Sequence, residues 1–434
     1  MRNLFRKMTP VRIIALGFAL TVLIGAGLLL LPCSVRPGVS LSLIDALYTS
    51  TSAVCVTGLI AVDAHDTFTP LGQCILGLLI QIGGLGVTAV GAGVILAIRK
   101  RISIKGRTLL REAMNLDSGK GIVHFLKSVL LTTLTIELAG ACLSFPVFVR
   151  DYSVPQAIGI SLFHSVAAFN NSGFDILGGM RNLTPYRDDV LLNLVTSALI
   201  ILGGIGFLVI REVLEKRFCW KRFSMHTKVV LSVSAVLTLA GTLLLKLTER
   251  GNISWLGAFF QSVTARTAGF STYPLGGFSN AGLVAMMVLM FIGASPGSTG
   301  GGIKTTTFFA VLQGIRSAAT NRSEKAFRYT LPADAFRKAS VIASIGLFLV
   351  AGSTFVLLLL EPQLALRDAL FEMVSAFGTV GLSTGITPGL GVAAKLLSIV
   401  MMYIGRLGPM TIATVWYFSR GERVRFPEGN IAIG

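Results

Sequence analysis

ALYTSTSAVCVTGL (residues 46–59), SLFHSVAAFNNSGF (161–174), GAFFQSVTARTAGF (257–270) and ALFEMVSAFGTVGL (369–382) are four stretches of one pattern. Superposed without gaps on Gly58, Gly173, Gly269 and Gly381, each carries an aromatic ten residues earlier (Tyr48, Phe163, Phe259, Phe371) and Leu or Phe directly after the glycine. Self-similarity at a period of about 100 residues marks a repeated supersecondary unit. Each stretch offers about ten helix-compatible residues, some 15 Å of helix, against a hydrocarbon thickness of roughly 30 Å. In lipid such a segment must enter and leave on the same side. Non-helical backbone at membrane depth is tolerated only where protein or a water-filled cavity satisfies its polar groups, so the four glycine-containing stretches must converge on one axis.

The surroundings of these segments place them in lipid. Of 434 residues, 53% are hydrophobic and only 13% charged, a balance that excludes an ordinary soluble protein. Eight apolar stretches long enough to span are centred near residues 11–32, 71–98, 124–149, 188–210, 228–248, 281–311, 339–360 and 393–418. The first, behind Arg2, Arg6 and Lys7, is as long as a full span and lacks a small-residue cleavage site, so it reads as a retained helix. The second span of every pair has a further landmark: a branched apolar residue, then glycine, then Gly or Pro three positions on (Gly83 and Gly86, Gly203 and Gly206, Gly293 and Pro296, Gly405 and Gly408). Small residues that let helices pack closely account for part of this. The fold expected is all-α and integral to the membrane: eight transmembrane helices and four re-entrant pore helices with pseudo-fourfold symmetry. The repeats run 1–110, 111–222, 223–325 and 326–420, ahead of a tail at 421–434.

The net charge of +18 is segregated rather than spread. Lys and Arg cluster before the first span and after the second, fourth, sixth and eighth, as in Arg99 to Arg111, Arg211 to Lys228, Arg316 to Lys338 and Arg420 to Arg425. Basic connections at every second loop are the pattern of cytoplasmic loops, which puts both termini inside. Asp63, Asp66, Asp175, Asp188 and Glu249 sit in the opposite connections, where an acidic mouth concentrates cations. Cys33, Cys55, Cys74, Cys142 and Cys219 show neither metal-ligand spacing nor a disulfide framework.

A cation entering lipid must exchange its water shell for other oxygens, and backbone carbonyls can supply them where glycine permits the torsions. The filter candidates are Val56, Thr57 and Gly58; Asn171, Ser172 and Gly173; Thr267, Ala268 and Gly269; Thr379, Val380 and Gly381. None of these stretches holds Asp or Glu, which favours carbonyls over an acidic ring.

At this point the chain resembles the Trk, Ktr and HKT superfamily of potassium transporters over almost its whole length, and is most similar to the Ktr membrane subunit because it opens directly on the first repeat. The resemblance implies potassium uptake, with one glycine shared by four filters and no covalent cofactor. It also implies a gate loop below the filter at GASPGSTGGGIKT: Gly293, Ser295, Pro296, Gly297, Ser298, Thr299, Gly300, Gly301, Gly302 and Lys304. Arg406, in mid-span, would be the positive barrier beside that loop; the other reading is an ion pair with an acid such as Glu137. Family likeness further implies a homodimer in the bacterial inner membrane on a ring of cytosolic regulatory subunits. Those subunits, not this chain, would hold nucleotide. Sodium is left open as a coupled ion; the basic inner loops and the tail ending FPEGNIAIG are candidate docking surfaces for those subunits, and anionic membrane lipid would attract the loops equally well.

Other polar residues have more local readings. Glu137 suits a helix-to-helix hydrogen bond, His164 and Glu372 would anchor pore helices, and Arg266 would brace a neighbouring acid. A nucleotide loop is excluded because Ile303 separates Gly302 from Lys304. A membrane enzyme is disfavoured because His65, His124, His164 and His226 form no HExxH motif or close pair. An inverted-repeat secondary transporter is the nearer rival, but two spans per repeat give all four the same orientation.

Overall fold

The computed structural model describes residues 8–97, 104–113 and 121–415, so the 421–434 tail and the first basic cluster through Lys7 lie outside the described residues. Four long apolar helices begin the repeats: α1 (Pro10–Leu29), α5 (Ile122–Phe148), α9 (Met225–Thr248) and α13 (Ala335–Leu360). At 1.5 Å per residue they measure about 30 to 40 Å, enough to cross. Their outward faces leave large apolar side chains such as Leu131, Leu239 and Phe348 exposed, as a lipid-facing surface requires.

Each long helix is followed by a short one: α2 (Leu43–Val54), α6 (Val154–Phe169), α10 (Trp255–Thr264) and α14 (Leu366–Gly378). Ser42 and Ser254 cap α2 and α10 by accepting from Asp45 N–H and Gly257 N–H, and Ser153 with Gln156 forms a capping box on α6. The short helices are stitched to the long ones by serines. Ser50 Oγ donates to Val22 O (2.7 Å), Ser165 Oγ to Glu137 O (2.6 Å) and Ser262 Oγ to Thr238 O (2.8 Å). Gly25, Gly140 and Gly241 face these hydroxyls, and a Cβ on any of them would come within 2.4 Å of one.

This stitching corrects the gapless alignment. Ser50 and Ser165 stand eight residues before their glycines, whereas Ser262 stands seven before Gly269, so the third short helix lacks one residue. The aromatic two positions before Ser262 is Phe260, which is fully buried, and not Phe259, which is partly exposed.

The second spans, continuous apolar stretches in sequence over 71–98, 188–210 and 393–418, are each broken into two helices. They are α3 (Pro70–Leu85) with α4 (Val87–Ala97), α7 (Val190–Ile205) with α8 (Phe207–Glu215), and α15 (Val392–Leu407) with α16 (Pro409–Val415). The first two pairs bend by 100° and 99°. The breaks fall at Gly86, Gly206 and Gly408, with φ of +88°, +93° and +90°, a region an L-residue side chain disfavours. In the third repeat α11 (Asn280–Phe291) gives way to an irregular loop before α12 (Thr305–Thr320), and Pro296 stands where the others have the breaking glycine. The other glycine of the landmark has a packing reason. A Cβ on Gly83, Gly203 or Gly405 would lie 2.1, 1.9 or 2.0 Å from the carbonyl oxygen of Val54, Phe169 or Phe377, at the end of the short helix of the same repeat.

Two acids close the outer joints. Glu249, at the end of α9, accepts from Ser279 N–H (2.9 Å) at the start of α11, and Glu361 accepts from Gly391 N–H (2.7 Å) at the start of α15. Both satisfy orphan N–H groups where the helix dipole favours negative charge.

Candidate functional site

The four short helices end on a shared backbone conformation. Two residues before each key glycine φ is positive (Val56 +55°, Asn171 +57°, Thr267 +76°, Thr379 +50°), and it is positive again at Gly58 (+88°), Gly173 (+70°), Gly269 (+78°) and Gly381 (+93°). Three of the first set are β-branched, for which this region costs about 1–3 kcal/mol each. Such strain persists only when surroundings impose it. Here the N–H groups are tied back to the short helices: Thr57 N to Ser52 O (2.7 Å), Ser172 N to Ala167 O (2.9 Å), Ala268 N to Thr264 O (2.9 Å) and Val380 N to Ser375 O (2.9 Å). Gly58 N and Gly381 N add bonds to Ser52 Oγ (3.0 Å) and Ser375 Oγ (3.1 Å).

With the donors held behind, the carbonyls close a ring. A Cβ on Gly58 would lie 2.1 Å from Ser172 O, one on Gly173 2.8 Å from Ala268 O, one on Gly269 2.3 Å from Val380 O, and one on Gly381 2.1 Å from Thr57 O. Each glycine thus faces the carbonyl that precedes the glycine of the next repeat, and the fourth returns to the first. The side chains between are fully buried. The ring is therefore lined by backbone oxygen with no room for a methyl group.

Above it opens a vestibule of about 480 Å³ lined by Gly58, Gly269 and Gly381 together with Asn182, Ser271 and Thr384. Glu372 braces the fourth filter by accepting from Ser383 Oγ (2.7 Å) and Thr387 Oγ1 (2.6 Å), and His164 pairs with Thr196 (2.8 Å), tying α6 to α7. Asn182 lines this vestibule and is a residue that sequence reasoning misses. It has no counterpart in the other repeats, so no alignment of repeats points to it.

Below the ring lies the loop Gly293 to Thr305, bonded to the second and fourth repeats. Ser295 N donates to Gly204 O (2.9 Å), Thr299 N to Gly203 O (3.2 Å), Thr299 Oγ1 to Phe169 O (3.2 Å) and Gly301 N to Thr379 Oγ1 (3.0 Å). Gly297 O accepts from Phe207 N–H (3.0 Å), at the bend of the second repeat. A Cβ on Gly300 would come 2.2 Å from Thr267 Oγ1, directly beneath the third filter. Lys304 Nζ turns back onto Gly300 O (2.7 Å), and Ser295 Oγ meets Thr305 Oγ1 (2.8 Å). Pro296 and Gly297 open toward the basic face, and Ser298 lies in the cavity shared with Lys304 and Arg406. Gly302, with φ +67°, returns the chain past Gly293.

Arg406 joins this loop to the first repeat. Its guanidinium donates to Thr299 O, Gly83 O and Gly84 O. The last two carbonyls belong to the final turn of α3, orphaned by the break at Gly86, and a cation is the favoured partner there. The alternative ion pair with Glu137 is not formed: Glu137 accepts instead from Gln81 Nε2 (3.2 Å) and Asn170 Nδ2 (3.0 Å), a link among three helices. The reading of Arg266 is likewise corrected. It braces no acid, and its guanidinium donates to Ser234 O (3.3 Å) and Ser234 Oγ (3.2 Å) on α9.

Comparison with known proteins agrees with this architecture. The chain is similar to the Ktr system potassium uptake protein B of Bacillus subtilis, 38% identical over 439 residues, spanning 99% of this chain and 97% of that protein. It is 37% identical to the potassium/sodium uptake protein NtpJ of Enterococcus hirae, over 99% of this chain and 98% of that one. Its fold matches the crystal structure of the potassium transporter TrkH from Vibrio parahaemolyticus with a TM-score of 0.74, covering 94% of this chain and 85% of that chain at 18% identity. The TrkH family, described as cation transport protein, matches residues 26–249 and 223–419. A multi-pass, all-α chain with a fourfold pore-loop architecture and this ancestry belongs to the TrkH family of cation transport proteins.

Proposed function

We propose that the chain carries potassium into the bacterial cell through the glycine ring, across the inner membrane, with both termini in the cytoplasm. The observation that carries this reading is the closed circuit of four carbonyls, Thr57, Ser172, Ala268 and Val380, each against the neighbouring repeat's glycine. Oxygen dipoles held without intervening side chains can replace the hydration shell of a large monovalent cation. The C-terminal ends of four short helices aim at the same point and favour positive charge by tenths of a kcal/mol to about 1 kcal/mol each. An inside-negative potential supplies about 2.3 kcal/mol per charge per 100 mV, so uptake needs no hydrolysis on this chain.

Gly293 to Thr305 acts as the gate in this reading, with Arg406 as its latch. Ktr and NtpJ relatives carry potassium or potassium and sodium in their names, which supports the choice of ion and keeps sodium as a coupled species. The word system in the Ktr names supports a partner subunit, and we assign to it the regulatory nucleotide; the homodimer and the cytosolic ring follow the family likeness. The basic loops face that partner and the anionic lipid surface.

The test is potassium uptake by a transport-deficient bacterial strain expressing the full chain, alone and with a cytosolic regulator, beside Gly269→Ser and Arg406→Ala. The expected result is uptake that loses preference for potassium over sodium in the glycine variant and escapes regulation in the arginine variant. Unchanged ion preference in Gly269→Ser would overturn the filter assignment and favour an inverted-repeat transporter.

A further inference from the structure

The filter is fourfold in its backbone but not in what touches its carbonyls. Gly173 O accepts a hydrogen bond from Asn182 Nδ2 at 3.1 Å. The same amide nitrogen donates to Asp175 Oδ2 (3.0 Å), while Asn182 Oδ1 accepts from Ser271 N–H (2.9 Å) and Leu183 N–H (2.9 Å). Leu183 N–H in turn donates to Ser271 O (3.1 Å). Asn182 itself sits at φ +49° to reach these partners. One side chain from the second repeat thus uses its full hydrogen-bonding capacity to join the second filter to the segment just above the third. The residues nine positions after the other three glycines are Thr67, Phe278 and Leu390, and among the described residues no side-chain hydrogen bond ties any of them to a glycine of the ring. The vestibule repeats the asymmetry: Gly58, Gly269 and Gly381 line it, and Asn182 stands on the second repeat's side.

Resting on the filter reading above, we propose that Asn182 is a specificity-determining positioning residue, which holds the Gly173 carbonyl as the one attenuated ligand of the outer filter. A carbonyl already accepting from an amide presents less field to an ion and cannot swing inward to follow a smaller one. Fewer or weaker oxygen dipoles disfavour the strongly hydrated sodium ion relative to potassium. Freeing Gly173 O lets that quadrant contract, so discrimination falls while conduction persists.

The experiment uses the full chain in the transport-deficient strain, measuring potassium uptake and its competition by sodium. Asn182→Leu removes the whole clamp without adding charge; Asn182→Asp keeps the acceptor for Ser271 and Leu183 but removes the donor to both Gly173 and Asp175 and sets a second carboxyl beside Asp175. Both are expected to lower potassium over sodium discrimination about fivefold or more, with maximal potassium uptake within about threefold of the parent. Gly173→Ser in the Asn182→Leu background should add little, because coupled neighbours are non-additive, whereas Gly58→Ser should add its full effect. Unchanged discrimination in Asn182→Leu and Asn182→Asp, while Gly58→Ser lowers it, overturns the proposal and leaves the filter standing. Unchanged discrimination in all of them overturns the filter reading itself. Loss of all uptake in both Asn182 variants at parental membrane levels also overturns the proposal, since a positioning residue spares the rate.

Discussion

Placing serine at each filter glycine should produce a graded series, because the four glycines are not equally crowded. At Gly58 a Cβ would lie 2.1 Å from Ser172 O, so that carbonyl must retreat by about 1.3 Å to reach ordinary contact at 3.4 Å. Gly381 meets Thr57 O at the same distance, Gly269 meets Val380 O at 2.3 Å, and Gly173 meets Ala268 O at 2.8 Å. Left-handed φ adds about 1–2 kcal/mol for a residue with a side chain at any of the four. A displaced carbonyl changes the ring radius for both ions, and a differential of about 1.4 kcal/mol is a tenfold change in preference. We therefore expect Gly58→Ser and Gly381→Ser to lose about tenfold or more of the potassium over sodium preference, Gly269→Ser somewhat less and Gly173→Ser least. Competition of labelled potassium or rubidium uptake by sodium, normalised to protein in the membrane, reads this directly. A series in which Gly173→Ser is the most damaging, or in which all four leave preference unchanged, would refute the steric reasoning.

Arg406→Ala removes three carbonyl contacts between the loop, α3 and α15; charge-assisted bonds of about 1.5–3 kcal/mol each predict at least tenfold higher basal potassium flux in proteoliposomes without regulator. Unchanged basal flux would exclude Arg406 as the latch. Glu372→Ala removes the carboxylate that accepts from both the Ser383 and Thr387 hydroxyls and leaves them only each other and Gly385 N–H, so about 1–3 kcal/mol of lost stability should appear as a lower thermal midpoint of the detergent-purified chain, with Glu372→Gln milder. Gly203→Ala sets a Cβ 1.9 Å from Phe169 O and should abolish accumulation in the membrane, whereas Gly91→Ala, with nothing within 4 Å, should be neutral or stabilising by about 0.5–1 kcal/mol. Lys395 and Asp45 pair at 2.7 Å across the fourth and first repeats with little exposure; Lys395→Met alone should destabilise more than Lys395→Met with Asp45→Leu, measured by thermal unfolding.

Much of this molecule is legible in its residues because its two solvents impose opposite demands. Lipid requires apolar runs of spanning length, so α1, α5, α9 and α13 announce themselves. A pore requires bare backbone at one depth in every repeat, so Gly58, Gly173, Gly269 and Gly381 stand out by repetition alone. The glycines at Gly83, Gly203 and Gly405 were equally visible, although only packing explains them: each admits the carbonyl at the end of a short helix.

What repetition could not carry was decided by tertiary contact. The missing residue in the third short helix is invisible to an alignment anchored on Gly269, since local sequence tolerates either register; Ser262 against Thr238 O fixes it. The bends at Gly86, Gly206 and Gly408 look like ordinary small residues in apolar helices until the fold shows them at positive φ, with Gly206 packed against Pro296 of the loop. Arg406, Glu137 and Arg266 are all costly in lipid, and the sequence permits several pairings among them. Their partners, carbonyls of Gly83, Gly84 and Thr299, amides of Gln81 and Asn170, and the Ser234 carbonyl and hydroxyl, are set by which backbone groups the helix breaks and packing leave within reach. Asn182 is the extreme case: nothing repeats it, and its role exists only where the second and third filters meet. The sequence alone determined the membrane class, the four repeats and the four aligned glycines, because these follow from solvent and symmetry, whereas the departures from symmetry that shape the Gly293–Thr305 loop and the vestibule are properties of contacts between repeats.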